Sequence, residues 1–139
     1  MLFCIATSAP QKVGEFIDGV TKLFLALPSQ KELAGVKGKF TLPYIYYVGS
    51  DTKCSCGFEF HSELFDDPEW QDHKGSPQAL LDLLNELTVT TFAEYYCCWD
   101  GDWADPVEYN RTLNSRDVTL DKNYFELVEH EFIRFEGMK

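Results

Sequence analysis

The chain has 139 residues, 45% of them hydrophobic, 15% aromatic and 25% charged, which is enough to close one core and too apolar for a disordered tail. Twelve Lys and Arg against 23 Asp and Glu leave a formal net charge of −11. The imbalance is local: residues 1–53 carry six Lys and four acids (+2), and the rest carries six bases and nineteen acids (−13).

A field of that sign disfavours contact with a nucleic-acid phosphate backbone. It suits either solubility alone or docking of a basic protein. Met1 to Thr7 lacks a positive flank and loses its apolar run at Thr7, unlike a signal peptide. No later stretch approaches the ~20 apolar residues of a membrane span. The expectation is a soluble, cytoplasmic protein with no membrane contact. An odd count of five cysteines, with one adjacent pair and one C-x-C, does not read as a secreted disulfide framework, so reduced thiols are expected.

In chain order, Leu2 to Thr7 is a short apolar run ahead of Ser8 and Pro10 and predicts a buried strand. Val13, Phe16, Ile17, Val20, Leu23, Phe24 and Leu27 then follow the spacing of one helix face, ending at Pro28. Gly14 and Gly19 weaken that helix by up to ~1 kcal/mol each relative to Ala. Lys31 to Lys39 reads as a polar connector. Phe40 to Val48 alternates as a strand, and Pro43 places it at a sheet edge or starts it after the proline. Gly49-Ser50-Asp51 is turn chemistry, and Cys56, Phe58 and Phe60 alternate beyond it, which predicts a hairpin with Cys54 and Cys56 on the core face.

Ser76-Pro77 opens a second helix carrying Leu80, Leu81, Leu83, Leu84 and Leu87. Thr90 to Trp99 is β-rich again, with Ala93, Tyr95, Cys97 and Trp99 on one face and Glu94 marking the other as more exposed. Asp105-Pro106 opens one short turn. In residues 118–135 the spacing of Phe125, Val128, Phe132 and Phe135 suits a helix, while the aromatic and β-branched content suits strands around an Asp121-Lys122-Asn123 turn, the reading favoured here. These elements predict a single α+β domain over residues 1–139, with an antiparallel sheet and two helices on one face. The order is the ferredoxin-like βαββαβ, elaborated by a C-terminal hairpin. Such a fold hosts many activities and does not name one.

Two segments carry possible chemistry. Trp99-Asp100-Gly101-Asp102-Trp103-Ala104-Asp105 joins two indoles to three carboxylates. It fails as a calcium loop, because Ala104, Asp105 and Arg111 stand where a ligand, a glycine and a bidentate glutamate are needed. Trp99, Asp100, Asp102, Trp103 and Asp105 instead suit a basic partner protein, with tryptophan as anchor. The second segment is Cys54-Ser55-Cys56, two thiols that could bind zinc or cycle as a dithiol. With Cys97 and Cys98 expected at the opposite end of the sheet, the pair supplies only two of zinc's four ligands. His130, between Glu129 and Glu131, reads as a surface residue whose pKa could be raised.

No nucleophile elbow, phosphate-cradling glycine loop or H-E-x-x-H motif occurs. The leading functional expectation is therefore a non-enzymatic interaction module docking a basic partner through its acidic C-terminal surface. A zinc or thiol-redox protein using Cys54 and Cys56 comes second, and a small enzyme with a Cys–His or carboxylate site third.

Overall fold

The computed structural model describes residues 1–137. It is an α+β domain built on one six-stranded sheet, with strand order β2-β3-β1-β4-β6-β5. The strands are β1 (Leu2–Thr7), β2 (Leu23–Ala26), β3 (Tyr44–Ser50), β4 (Phe92–Cys98), β5 (Tyr109–Asn114) and β6 (Glu131–Glu136). All neighbours are antiparallel except β5 and β6, which are parallel, so the sheet is mixed. The helices are α1 (Gln30–Val36) and α2 (Gly75–Leu87). Among the described residues no helix is long and apolar enough to cross a membrane.

β1 is central and apolar at nearly every position, and successive side chains on a strand point to opposite faces. Phe3 and Ile5 enter a large core with Val48, Tyr95, Ile133 and the α2 leucines Leu80 and Leu84. Cys4 and Ala6 enter a smaller core with Val36 of α1, Phe40, Tyr96, Cys98 and Trp103. The two helices therefore cover opposite faces, not one face as expected. Continuous apolar character is what burial on both sides demands of a strand.

The helix expected over residues 13–27 does not form. Gly19 takes a left-handed φ of +78°, which a right-handed helix cannot contain. The Thr21 hydroxyl accepts from Ile17 N (2.9 Å), and Gly14 N donates to Leu25 O (2.9 Å) across the outer edge of β2. The supposed buried stripe is left outside, with Val20 67% exposed. The first helix forms instead inside the supposed polar connector. Ser29 Oγ accepts from Glu32 N (3.1 Å) and the Glu32 carboxylate accepts from Ser29 N (2.8 Å), the reciprocal cap that an S-x-x-E spacing encodes.

β3 starts after Pro43, as anticipated, yet it is not an edge strand, since β2 lies outside it. The expected strand over Cys56–Phe60 is absent; Ser55–Phe58 is a 3-10 turn. These changes replace the βαββαβ order. The C-terminal hairpin is also absent. β5 forms where a short turn was expected, and only Glu131–Glu136 of the tail is strand. Between them, Val118, Leu120, Tyr124, Phe125 and Leu127 pack irregularly over the α2 face, with Tyr124 Oη donating to Phe58 O (2.6 Å).

Glu94 was expected on the more exposed face and is only 3% exposed. Its carboxylate accepts from Thr41 N (2.9 Å), Thr41 Oγ1 (2.8 Å) and Leu42 N (2.9 Å), tying the approach to β3 onto β4. Buried donors that lose their acceptor are costly. Glu94→Gln should lower unfolding stability in urea by about 2 kcal/mol and Glu94→Ala by about 3 kcal/mol. A loss below about 0.5 kcal/mol for the alanine variant would show that the carboxylate does not hold this loop.

Candidate functional site

β1 and β3 run antiparallel, as do β1 and β4, so β3 and β4 end at the same end of the sheet, beside the start of β1. The C-x-C loop follows β3 and the acidic loop follows β4. Both sequence-predicted sites therefore rim one end, whereas Cys54, Cys56, Cys97 and Cys98 were expected at opposite ends. The misplacement came from reading Cys54 as the start of a strand, when it lies just beyond the end of one.

The acidic loop is fastened at several points. Asp102 N donates to Trp99 O (3.0 Å) and Asp105 N to Asp102 O (3.0 Å), with Gly101 at φ +93° supplying the turn. Trp103 folds back and is only 3% exposed. The passing α1 is so close that a Cβ on Gly35 would lie 2.7 Å from Trp103. Lys39 Nζ donates to Gly35 O and to Trp103 O, both at 3.0 Å, and sits 5.1 Å from the Tyr96 ring centre. Tyr96 Oη donates to Asp105 O (3.1 Å).

His130 closes this end. Its φ is +62°; its N–H donates to Cys97 O (2.8 Å), and its carbonyl accepts from Glu108 N (2.9 Å) and Tyr109 N (3.2 Å). The ring is 12% exposed, with Nδ1 against the Glu108 carboxylate and Nε2 3.2 Å from Asp105 and 3.5 Å from Glu129. It is an enclosed residue and not the surface residue expected. The Glu108 hydrogen bond, aided by the charges of Glu129 and Glu108 and by the Asp105 contact, raises its pKa above 6.5 against the opposing effect of burial. Asp102, Glu129 and His130 place their ligand atoms within 4.8 Å of one another, a spacing that a divalent cation could also bridge. With both ring nitrogens facing carboxylates, however, the imidazolium satisfies the arrangement, and in that form it has no lone pair for a metal.

Of the five proposed docking residues, Trp103 is buried and cannot present its indole. Asp102 and Asp105 are half-buried and turned toward His130, while Asp100 is exposed and Trp99 is 53% exposed. The structure adds Glu108, just past the segment singled out, and Glu129, which the sequence named only as a neighbour of His130 and did not connect to the acidic loop. The only signal for His130 was its pair of flanking glutamates.

The C-x-C loop is organised by serine hydroxyls. Ser50 Oγ donates to Cys54 O (2.6 Å) and accepts from Thr52 N (3.2 Å) and Gly57 N (3.1 Å). Ser55, between the cysteines, is fully buried; its hydroxyl donates to Val48 O (2.6 Å) and accepts from Phe3 N (3.1 Å). Ser76 Oγ accepts from Asp51 N (3.1 Å) and donates to Lys22 O (2.6 Å), so it pins loops instead of capping α2. With Ser55 turned inward, Cys56 is exposed and Cys54 half-buried, the reverse of the core-facing parity expected.

Their sulfurs are bonded to each other, a correction to the expectation of reduced thiols, and in that state neither is free to ligate zinc. His61 pairs with Glu126, and His73 lies 4.8 Å from Trp70. Among the described residues, neither cysteine belongs to a metal-spaced cluster. Two open clefts lie elsewhere. One of about 500 Å³ is lined by His61, Arg111, Lys122 and Glu126, and one of about 770 Å³ by Thr88, Phe92, Arg134 and Glu136. Neither contains a cysteine.

Cys4, Cys97 and Cys98 are buried free thiols. Burial pushes Cys4 well up, Cys97 up to about 11 and Cys98 up to about 12, and only the thiolate reacts. At pH 8 the native protein should therefore show no alkylation at these three positions and complete alkylation after unfolding, read by peptide mass spectrometry. Rapid native labelling of Cys98 would contradict its burial.

Because the folded-state pKa of His130 is raised, its contribution to stability is complete below pH 6.5 and is lost as pH rises through the folded value. The melting temperature of the wild type should exceed that of His130→Gln most near pH 6 and converge on it toward alkaline pH. A constant gap from about pH 6 to 9 would show that the ring acts only by packing. No protein-family model matches the chain, and no curated protein and no solved structure proved similar to it.

Proposed function

We propose that the protein is a non-enzymatic interaction module that docks a basic protein surface with the acidic end of its sheet. The observation that carries this reading is the gathering of Asp102, Asp105, Glu108 and Glu129 around one enclosed base, His130, with Asp100 exposed and Trp99 half-exposed on the same loop. One imidazolium balances at most one of those four carboxylates. A focused negative field steers a positively charged partner, and an amphipathic indole beside it is the residue type that anchors interfaces. Nucleic acid is repelled by the same field.

The contacts of the loop support this use. Lys39, Tyr96 and the buried Trp103 hold its backbone, so Trp99 and Asp100 are presented from a fixed platform, which limits the ordering cost of association.

The protein immobilised at about 50 mM salt and exposed to cell extract should retain basic proteins that elute as salt rises to about 300 mM. The dissociation constant for the principal retained protein should weaken about tenfold or more in Trp99→Ala/Asp100→Asn. Retention of nothing, or a partner whose affinity is unchanged by both salt and the double variant, would reject the acidic end as a docking surface.

A further inference from the structure

We propose that Cys54 and Cys56 form a thiol–disulfide exchange site, whose substrate is an accessible thiolate or disulfide. The inference is independent of the docking reading and rests on four observations.

The bonded pair is the accessible one. Cys56 is exposed and Cys54 half-buried, whereas Cys4, Cys97 and Cys98 are buried and free. An attacking sulfur needs such access. Second, the bond joins residues two apart in sequence. Loop-closure stabilisation grows with the length of the loop closed, so a cross-link this short is a poor staple.

Third, the loop has its own supports. The Ser50 and Ser55 hydroxyls hold it from both sides, and a Cβ on Gly57 would collide with Ser50 and Asp51. The two Cα atoms, 5.4 Å apart, are thus held near each other by hydrogen bonds that do not depend on the bond between the sulfurs. A pair of that kind can open and close without refolding its surroundings.

Fourth, the two sulfurs differ. Cys54 Sγ accepts from Cys56 N (3.3 Å) and lies 3.4 Å from the Thr52 hydroxyl. Both contacts strengthen when the acceptor becomes anionic. This makes Cys54 the better leaving thiolate and exposed Cys56 the sulfur that is attacked.

In the reductive direction a substrate thiolate attacks Cys56 Sγ. A new S–S bond forms between them, and the electron pair of the Cys54–Cys56 bond departs on Cys54 Sγ. A second substrate thiolate then attacks the substrate sulfur of the mixed disulfide. The substrate disulfide leaves, and the displaced electron pair remains on Cys56. Two substrate thiolates are oxidised by two electrons in total, and the protein disulfide is reduced to two thiolates, which take protons from water according to their pKa values. The reverse sequence reduces a substrate disulfide.

The test uses the intact protein equilibrated with reduced and oxidised glutathione in varied ratio, then alkylated and weighed. A reversible two-thiol transition confined to Cys54 and Cys56 is expected. Cys54→Ser should accumulate a mixed disulfide with glutathione on Cys56, and Cys56→Ser should accumulate far less on Cys54. A parallel arm with thioredoxin identifies the source of the substrate thiol: reduction by glutathione marks a small-molecule thiol, and reduction by thioredoxin alone marks a protein dithiol.

Several outcomes would overturn the proposal. The pair could stay open in excess oxidised glutathione, or resist both reductants until the protein unfolds. The mixed disulfide could favour Cys54, or the reduced protein could take up one zinc per chain. The wild-type titration decides between exchange and a static cross-link even if a serine variant fails to fold. None of its readouts involves the acidic end, so failure here leaves the docking reading standing.

Discussion

Everything else in the fold depends on the burial of β1 from both sides. A strand with Phe3 and Ile5 on one face and Cys4 and Ala6 on the other needs a cover over each face, because leaving either apolar side in water forfeits about 25 cal/mol per Å². The two faces are unequal. Large side chains on the α2 side require a long amphipathic helix and a belt of aromatics from the 118–128 segment. Small ones on the α1 side allow a seven-residue helix to approach closely, with Gly35 against Trp103. The acidic loop is drawn into the structure because its tryptophan completes the thinner of the two covers.

That division also explains why charge collects where it does. β4 and β6 pair antiparallel, with Cys97 opposite Glu131, so the loop leaving β4 and the residues entering β6 must meet. The sequence places acids in both. Their mutual repulsion is offset by His130, whose backbone occupies the junction of β4, β5 and β6, and by the Arg111–Glu131 pair (3.0 Å), which lies between the parallel strands β5 and β6. Glu131 shows the balance at single-residue scale: burial raises its pKa, while the Arg111 charge opposes the shift.

What was legible in the sequence was whatever depended on local pattern backed by burial. β1, β4, α2 and the start of β3 after Pro43 all emerge from periodicity or proline stereochemistry. Residues 13–27 show the failure of periodicity alone. The stripe is helical in spacing, but Gly19 sits in the left-handed region, Val13, Ile17, Val20 and Leu27 are left exposed, and its Leu23–Phe24 part packs as strand β2. The opposite error occurs at Ser29, where a seven-residue helix without a buried stripe is signalled only by its capping box. Glu94 and Ser55 were misjudged for a shared reason. A polar residue on a strand or turn reads as solvent-facing unless its hydrogen-bond partners are known, and the partners of Glu94, with Phe3 among those of Ser55, are 52 or more residues away in the chain. The two candidate sites were found as segments. Their common position at one end of the sheet was not, since it depends on which strands pair.

The two loops at that end are held by different physics, and this separates what each can respond to. The C-x-C loop is fixed by neutral hydroxyl and backbone hydrogen bonds centred on Ser50, Ser55 and Ser76, none of which titrates near neutral pH. The acidic loop is fixed in large part by charged groups, Lys39 on its backbone carbonyl and His130 against its carboxylates, which respond to salt and to protons. A change of pH therefore acts on the acidic loop first, while the serine hydrogen bonds that hold the C-x-C loop do not involve its sulfurs. Both loops flank the beginning of β1, a central strand buried at every position but its first. One charge-held and one hydroxyl-held loop at the same end of the sheet respond to different conditions, so the proposed docking surface and the proposed sulfur pair rest on separate sets of contacts.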